Sequence, residues 1–185
     1  MNVDQPQVDH QGALFDDADL RPLPADLGYR GPVACAAAGI TYRQLDYWAR
    51  TELVVPSVRG AHGSGTQRLY SFRDILVLRI VKRLIDTGVS LPNIRAAVDH
   101  LAVRSSEDVA RMTLMSDGAS IYECSSPDEI IDLLAGGQGV FGIAIGKVWS
   151  EVEGSLATLQ GEFNGEVQSG EGNDELSERR KRKGA

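Results

Sequence analysis

The chain is short of several residue types, and each shortage excludes a class of protein. Cysteine occurs twice in 185 residues, at Cys35 and Cys124, and histidine three times, at His10, His62 and His100. No pair among these has metal-ligand spacing, and a secreted disulfide scaffold needs more thiols at closer intervals. No metal and no cofactor is therefore expected, and both thiols read as ordinary side chains of a reducing, cytoplasmic compartment. No apolar run reaches the ~18 residues of a membrane span. The first residues are acidic and polar (Asp4, Asp9, Asp16, Asp17), unlike a secretory leader. No His, Ser or Cys stands beside a plausible base in a motif, so no enzyme is expected. The run Gly137-Gln138-Gly139-Val140-Phe141-Gly142 matches G-x-G-x-x-G. A dinucleotide fingerprint follows a strand and opens a helix, whereas here a helix precedes and a strand follows, so the run reads as a glycine-rich turn.

Positive charge is also scarce overall: the net charge is -7. The mean hides a segregation. Residues 28–100 hold ten Lys+Arg against five Asp+Glu, whereas residues 1–27 hold one against six and residues 101–185 hold eight against fifteen. Local potential steers binding to polyanions more than the total does, so the central block is the candidate contact with nucleic acid.

Composition divides the chain into four parts. Residues 1–28 read as a disordered acidic arm, rich in Asp, Gln and Pro. Within it, Gln11-Gly12-Ala13-Leu14-Phe15 is similar to the short motif by which bacterial proteins dock on the replication sliding clamp, although an apolar patch folding back on the domain is the simpler reading. Residues 29–103 form the first folded unit. Gly31 to Ala38 reads as a short apolar helix with Pro32 in its first turn, ended by Gly39. Thr41 caps a second helix, and Ser71-Phe72-Arg73-Asp74 has the form of a capping box opening a third. That helix ends at Gly88, and another starts at Ser90 or Leu91. Residues 109–165 form a C-terminal α/β unit: strands at 113–115 and 121–124, a helix opened by Ser126-Pro127-Asp128-Glu129, and a buried strand over Val140 to Trp149. A closing helix carries the stripe Val152, Leu156, Leu159 and Phe163. Residues 166–185 read as a disordered tail with a basic end, Arg179-Arg180-Lys181-Arg182-Lys183. The fold class expected is α+β: an N-terminal winged helix-turn-helix and a small βαβ-type C-terminal domain between disordered termini.

The helix opened by Thr41 carries the chemistry. Base edges in the major groove present acceptors, and forked donors near the start of a helix read them. Arg43 lies in the first turn, Tyr47 four residues on and Arg50 seven on, all on one face. Gln44 and Asp46 flank that face, Tyr42 is either a packing residue or a phosphate donor, and Leu45 and Trp48 would pin the helix to the core. A glycine-rich basic loop follows, with Gly60, Gly63 and Gly65 between Arg59 and Arg68. Glycine allows close approach to a backbone, and Arg supplies phosphate contacts that position without reading sequence. Arg73 at the next helix start adds another cation.

With these residues in place, the stretch Thr41 to Pro56, containing Leu45-Asp46-Tyr47-Trp48 and Leu53-Val54-Val55-Pro56, resembles the winged helix-turn-helix of the MerR family of bacterial transcription regulators. The family core reads Leu-Arg-Tyr-Tyr-Glu, then Gly-Leu and a proline; its wing motif Tyr-Arg-x-Tyr is similar to Gln67-Arg68-Leu69-Tyr70. The resemblance covers roughly residues 31–101 and is nearest to an actinobacterial MerR-like group with a C-terminal domain. Asp46 replaces the family's Arg, Trp48 replaces its second Tyr, and no long dimerising coiled-coil helix follows residue 101. The resemblance implies that Arg43 and Tyr47 face DNA from the recognition helix and Arg59 and Arg68 from the wing; with the reading of the residues, the expected DNA-contacting set is Thr41, Tyr42, Arg43, Gln44, Tyr47, Arg50, Arg59, Gln67, Arg68, Tyr70 and Arg73. The resemblance also implies a nucleoid-associated regulator in a bacterial cytoplasm, with double-stranded DNA and RNA polymerase as partners. One winged helix covers few base pairs, so a homodimer is expected on paired half-sites, joined through the C-terminal domain at Val140–Trp149 or the Val152 stripe. The alternatives are a DNA-binding adaptor or architectural protein linked to replication or division, and a nucleotide-dependent enzyme regulated by the winged helix. The sequence leaves open whether a small-molecule effector exists.

Overall fold

A computed structural model describes Pro24, residues 26–60, 67–136 and 141–159, and the backbone of 162–163. The expectations for the acidic arm, the wing tip, Gly137–Val140 and the basic tail lie outside the described residues.

The chain runs β1 (Leu27–Arg30), α1 (Gly31–Ala38), α2 (Tyr42–Arg50), β2 (Leu69–Tyr70), α3 (Phe72–Asp86), α4 (Leu91–Ala102), α5 (Ser106–Arg111), β3 (Thr113–Ser116), β4 (Ile121–Cys124), α6 (Pro127–Ala135), β5 (Phe141–Ala144), α7 (Ile145–Ala157) and β6 (Glu162–Phe163). Local chemistry sets most boundaries. Gly39 ends α1 in the left-handed region at φ 68°, where its backbone N–H donates to the Cys35 carbonyl. Thr41 and Gln44 form a reciprocal capping box at the start of α2, as do Ser71 and Asp74 at the start of α3. Ser126 caps α6, with Pro127 at the first helical position.

Two three-stranded sheets form. In one, β1 lies between β2 and β6, with Tyr29 opposite Tyr70 and Leu27 opposite Phe163. In the other, β3 lies between β4 and β5 and is antiparallel to both. The strands β4 and β5 are consequently parallel to each other, and β4-α6-β5 is the expected βαβ unit, split by β3.

Three features depart from the sequence reading. The strand expected over Val140–Trp149 is a strand only over Phe141–Ala144; Ile145 opens α7. The reason is periodicity. Ile145, Val148, Trp149, Val152 and Leu156 are all buried, and their spacing is helical, so the apolar run belongs mainly to the helix stripe. The stripe therefore begins seven residues earlier than Val152 and stops before Phe163, which lies in β6. Second, α5 occupies what reads as a boundary, with Ser105 capping it through the Asp108 N–H. Third, β1 takes Leu27 and Gly28 into a strand although they read as the end of the arm.

The helix α7 does not stand apart. It packs on α3 and α1, and one apolar cluster runs from Tyr29 and Ala34 through Leu76 and Ile80 to Ile145, Val152 and Leu156. The Phe72 and Trp149 rings meet at 4.6 Å with a 55° tilt. Above them, Glu151 accepts from Arg79 at 2.8 Å and Arg83 at 2.6 Å, while Arg79 also donates to the Ala37 carbonyl at 2.8 Å. Burial raises the Glu151 carboxyl, but the two guanidiniums outweigh it and leave the pKa below its usual value. Burial of Val152 and Leu156 also corrects one expectation: these two residues of the stripe are intrachain core and offer no surface to a second protomer.

Candidate nucleic-acid interface

The helix α2 is fixed from beneath and open above. Leu45 and Trp48 are buried in the core, three residues apart on the inner face. Tyr42 and Tyr47, by contrast, are 64% and 49% exposed. Arg43 and Arg50 are exposed beside them. Among the described residues, the side chains of Arg43 and Tyr47 have no hydrogen bond or ion pair, so a forked donor and an aromatic hydroxyl stand on one open helical face.

Other candidates are already engaged. The Thr41 hydroxyl accepts from the Gln44 N–H at 3.2 Å, and the Gln44 side-chain carbonyl accepts from the Thr41 N–H at 2.9 Å. Both side chains hold the helix start in shape. Asp46 binds two cations: Arg50 at 3.0 Å, one turn along α2, and Arg68 at 2.9 Å from the far side of the wing. The Arg68 hydrogen bond, with Arg50 beside it, holds the Asp46 carboxyl below the ordinary carboxylate range. Asp46, where the resemblance expects Arg, thus fastens the wing to α2. This pairing across twenty-two positions has no local signal in the sequence.

The wing stem is an antiparallel bridge between Arg59 and Leu69, closed by N–H···O bonds of 3.1 and 2.9 Å. Gln67 is exposed at its return. The stem is held from two sides. A Cβ on Gly28 would stand 2.8 Å from Leu69 Cβ and 3.0 Å from Val58 Cγ1, so β1 presses directly on it. Asp74 accepts at 2.8 Å from the Ser57 N–H, the Ser57 hydroxyl and the Ser71 N–H, tying the loop's first residues to the start of α3. Burial pushes the Asp74 carboxyl above its usual value, against the lowering effect of those donors.

Two sequence candidates fall elsewhere. Tyr70 is 0% exposed in β2, and burial pushes its hydroxyl up to about 12. It is a core residue, and the correction has a simple cause: Leu69 and Tyr70 are both buried at the base of the wing, where β1 covers them. Arg73 is half-buried and donates to the Leu101 and Arg104 carbonyls, each at 2.6 Å, so its fork closes the end of α4 instead of facing outward. Two further cations lie near α2 and the wing stem. Arg95 on α4 donates to the Thr51 carbonyl at the end of α2, and Arg30 lies opposite Leu69 beside the wing stem.

The remaining chemistry is sparse. Cys35 is half-buried and Cys124 buried; burial raises both thiols, so neither is an activated thiolate. Among the described residues no His, Cys, Asp or Glu group is arranged to hold a metal, and no helix is long and apolar enough to cross a membrane. A cleft of about 930 Å³ between α4 and the β4–α6 edge, lined by His100, Arg104, Tyr122, Glu123 and Asp132 among others, includes no residue of α2 or the wing.

A family profile described as MerR HTH family regulatory protein matches residues 29–101, the span from β1 to the end of α4. Relatives from Mycobacterium bovis and from two strains of Mycobacterium tuberculosis, each named an uncharacterized HTH-type transcriptional regulator, are 60% identical over 173 residues. The alignment covers 92% of this chain and 76% of each relative. The chain belongs to the MerR family. In this MerR-family chain the helix-turn-helix is α1–α2 and the wing is the stem at Arg59 and Leu69.

Proposed function

We propose that this chain is a sequence-specific DNA-binding transcription regulator that lays α2 into the major groove of duplex DNA. The observation that carries the reading is the open face of α2, where Arg43 and Tyr47 stand exposed beside buried Leu45 and Trp48. Arg43 supplies forked donors to base acceptors, and Tyr47 shares its groove face. Arg50, Arg59, Gln67 and Arg68 contact phosphates, with Arg50 and Arg68 held in position by Asp46. Thr41 and Gln44 present the helix N-terminus, whose unpaired N–H groups favour a phosphate. Membership of the MerR family and the names of the mycobacterial relatives support regulation over an architectural role.

The active form is a homodimer joined through the C-terminal region. The stripe of α7 is consumed in the core, which leaves the outer face of α6 with Ile131 and Leu134, and the neighbouring strand β5 with exposed Phe141. Sedimentation tests this: Leu134→Asp yields monomers, and an intact dimer would move the contact elsewhere. The function itself is tested by selecting binding sites for the full chain from randomised duplexes. The reading requires a reproducible consensus, with half-sites spaced by whole helical turns if the protomers share one DNA face. Recovery of random sequence at low salt would contradict base readout.

A further inference from the structure

We infer that the cleft between α4 and the β4–α6 edge is a docking groove for an extended basic peptide of another protein, which adds to β4 as a further strand and sets its cations against α6. The inference goes beyond the proposed function and holds independently of what α2 binds. The strand β4 ends its sheet: the order is β4-β3-β5, and among the described residues β4 makes no backbone hydrogen bond except to β3. Its outer edge therefore offers N–H and C=O groups to another strand. The cleft opens on that edge. Ile121, Tyr122, Glu123 and Cys124, the whole of β4, line it. Successive strand residues point to opposite faces, so a cleft lined by all of them wraps the edge and not one face. The neighbours agree: Glu123 meets Arg104 and His100 on the α4 side, whereas Tyr122 and Cys124 pack with Ile130 and Leu133 of α6 on the other.

The walls fit a peptide. The helix α4 is held beside β4 at both ends: Asn93 donates to the Ala119 carbonyl near its start, and just past its end Arg104 donates to Glu123 at 2.8 Å, with His100 Nδ1 3.5 Å from the same carboxylate. Between these ties stand Ala96 and Ala97, whose short side chains leave a cleft of about 930 Å³. The strand gives it a floor about 13 Å long, along which main-chain partners recur every second residue, as in a peptide backbone. Charge sets the sign of the partner. On the α4 side Glu123 is neutralised by Arg104. On the α6 side Glu129 and Asp132 are exposed; Glu129 accepts one N–H from Ser125, and the Asp132 carboxylate has no hydrogen bond or ion pair among the described residues. An added strand directs alternate side chains to the two walls. The segment that fits carries Lys or Arg at every second position, toward α6, and small apolar residues between them, toward Ala96 and Ala97. A second copy of β4 would bring the same acidic wall against itself, which like charge opposes.

The test selects peptides from a randomised library on the full-length chain. The selected sequences should carry basic residues at every second position, and the best of them should shift the backbone amide resonances of Ile121–Cys124. No enrichment, selected sequences without that alternation, or shifts confined to other elements would overturn the inference. Two N-methylated series of the selected peptide, at odd and at even positions, probe the pairing. Only one set of its N–H groups faces β4, so one series should lose about tenfold or more in affinity and the other little. Equal effects of the two series would overturn strand addition and leave a pocket that recognises side chains or small cations. Asp132→Lys, on the exposed side of α6, should weaken the selected peptide about fivefold, with the loss shrinking as salt is raised. An unchanged affinity would overturn the basic character of the partner. Amides of β4 that are protected from exchange without peptide, in a protein that sediments as a dimer and loses that protection on dilution, would give the edge to a second copy and overturn the assignment.

Discussion

Two sets of arginines share the basic block of this chain, and they differ in what they touch. On α3, Arg73 is bound by the carbonyls that end α4, Arg79 by the Ala37 carbonyl and Glu151, and Arg83 by Glu151 again. On α2 and the wing, Arg43 has no partner among the described residues, and Arg50 and Arg68 share one solvent-facing carboxylate. The lesson concerns charge counting. A cluster of Lys and Arg marks a polyanion-binding segment, but the α3 arginines are spent on joining helices and contribute little to an interface. On the proposed reading, the charge available to DNA is that of α2 and the wing, where Arg43 has no partner among the described residues and Arg50 and Arg68 are paired at the surface.

The contrast can be broken from either side. Trp149→Ala removes the ring that meets Phe72 under the α3 clamp and should cost about 3–5 kcal/mol in urea unfolding. A loss under about 1 kcal/mol would show that α7 is not part of the shared core. Glu151→Gln should cost about 1 kcal/mol at neutral pH, since the bridges are half-exposed and screened. Its folded-state pKa is lowered, so the contribution is present above the ordinary glutamate value of about 4.3 and disappears as pH falls through the folded value. Parent and variant stabilities should therefore converge in acid, and a gap that persists at pH 2 would contradict the ion pair. On the other side, Asp46→Asn releases Arg50 and Arg68. Because both contact phosphate while Asp46 holds them in place, the salt slope of binding to any duplex should flatten by about one to two as those contacts, each contributing about -0.9, loosen. An unchanged slope would mean that Asp46 does not position them on the phosphates. The smallest effect is at Glu52, which has φ 56° at the position where the family pattern has glycine. Glu52→Gly relieves a left-handed residue and should stabilise the fold by about 0.5–1 kcal/mol, measured by thermal unfolding.

What the sequence made legible follows the range of the interactions. Helix starts at Thr41, Ser71 and Ser126 were readable because a cap is decided within four residues. The exposed face of α2 was readable for the same reason, since Arg43 and Tyr47 are one turn apart and Leu45 and Trp48 define the opposite side. Tyr70 was misplaced because a wing motif records residue types but not which of them the neighbouring strand covers, and β1 itself has too few residues to show a period. The clamp at Asp46 and the seam at Glu151 join residues far apart in the chain, beyond any local pattern. The strand read over Val140–Trp149 failed at Ile145, where an apolar run fits both periods and only the packing of α7 on α3 decides between them.

The most direct test of the account is the affinity of Arg43→Ala for the selected duplex and for a scrambled duplex at the same salt concentration. The account predicts a loss of about 1–3 kcal/mol on the selected site and a much smaller loss on the scrambled one. Equal losses on both would make Arg43 a phosphate contact, and no loss on either would place the reading surface outside α2.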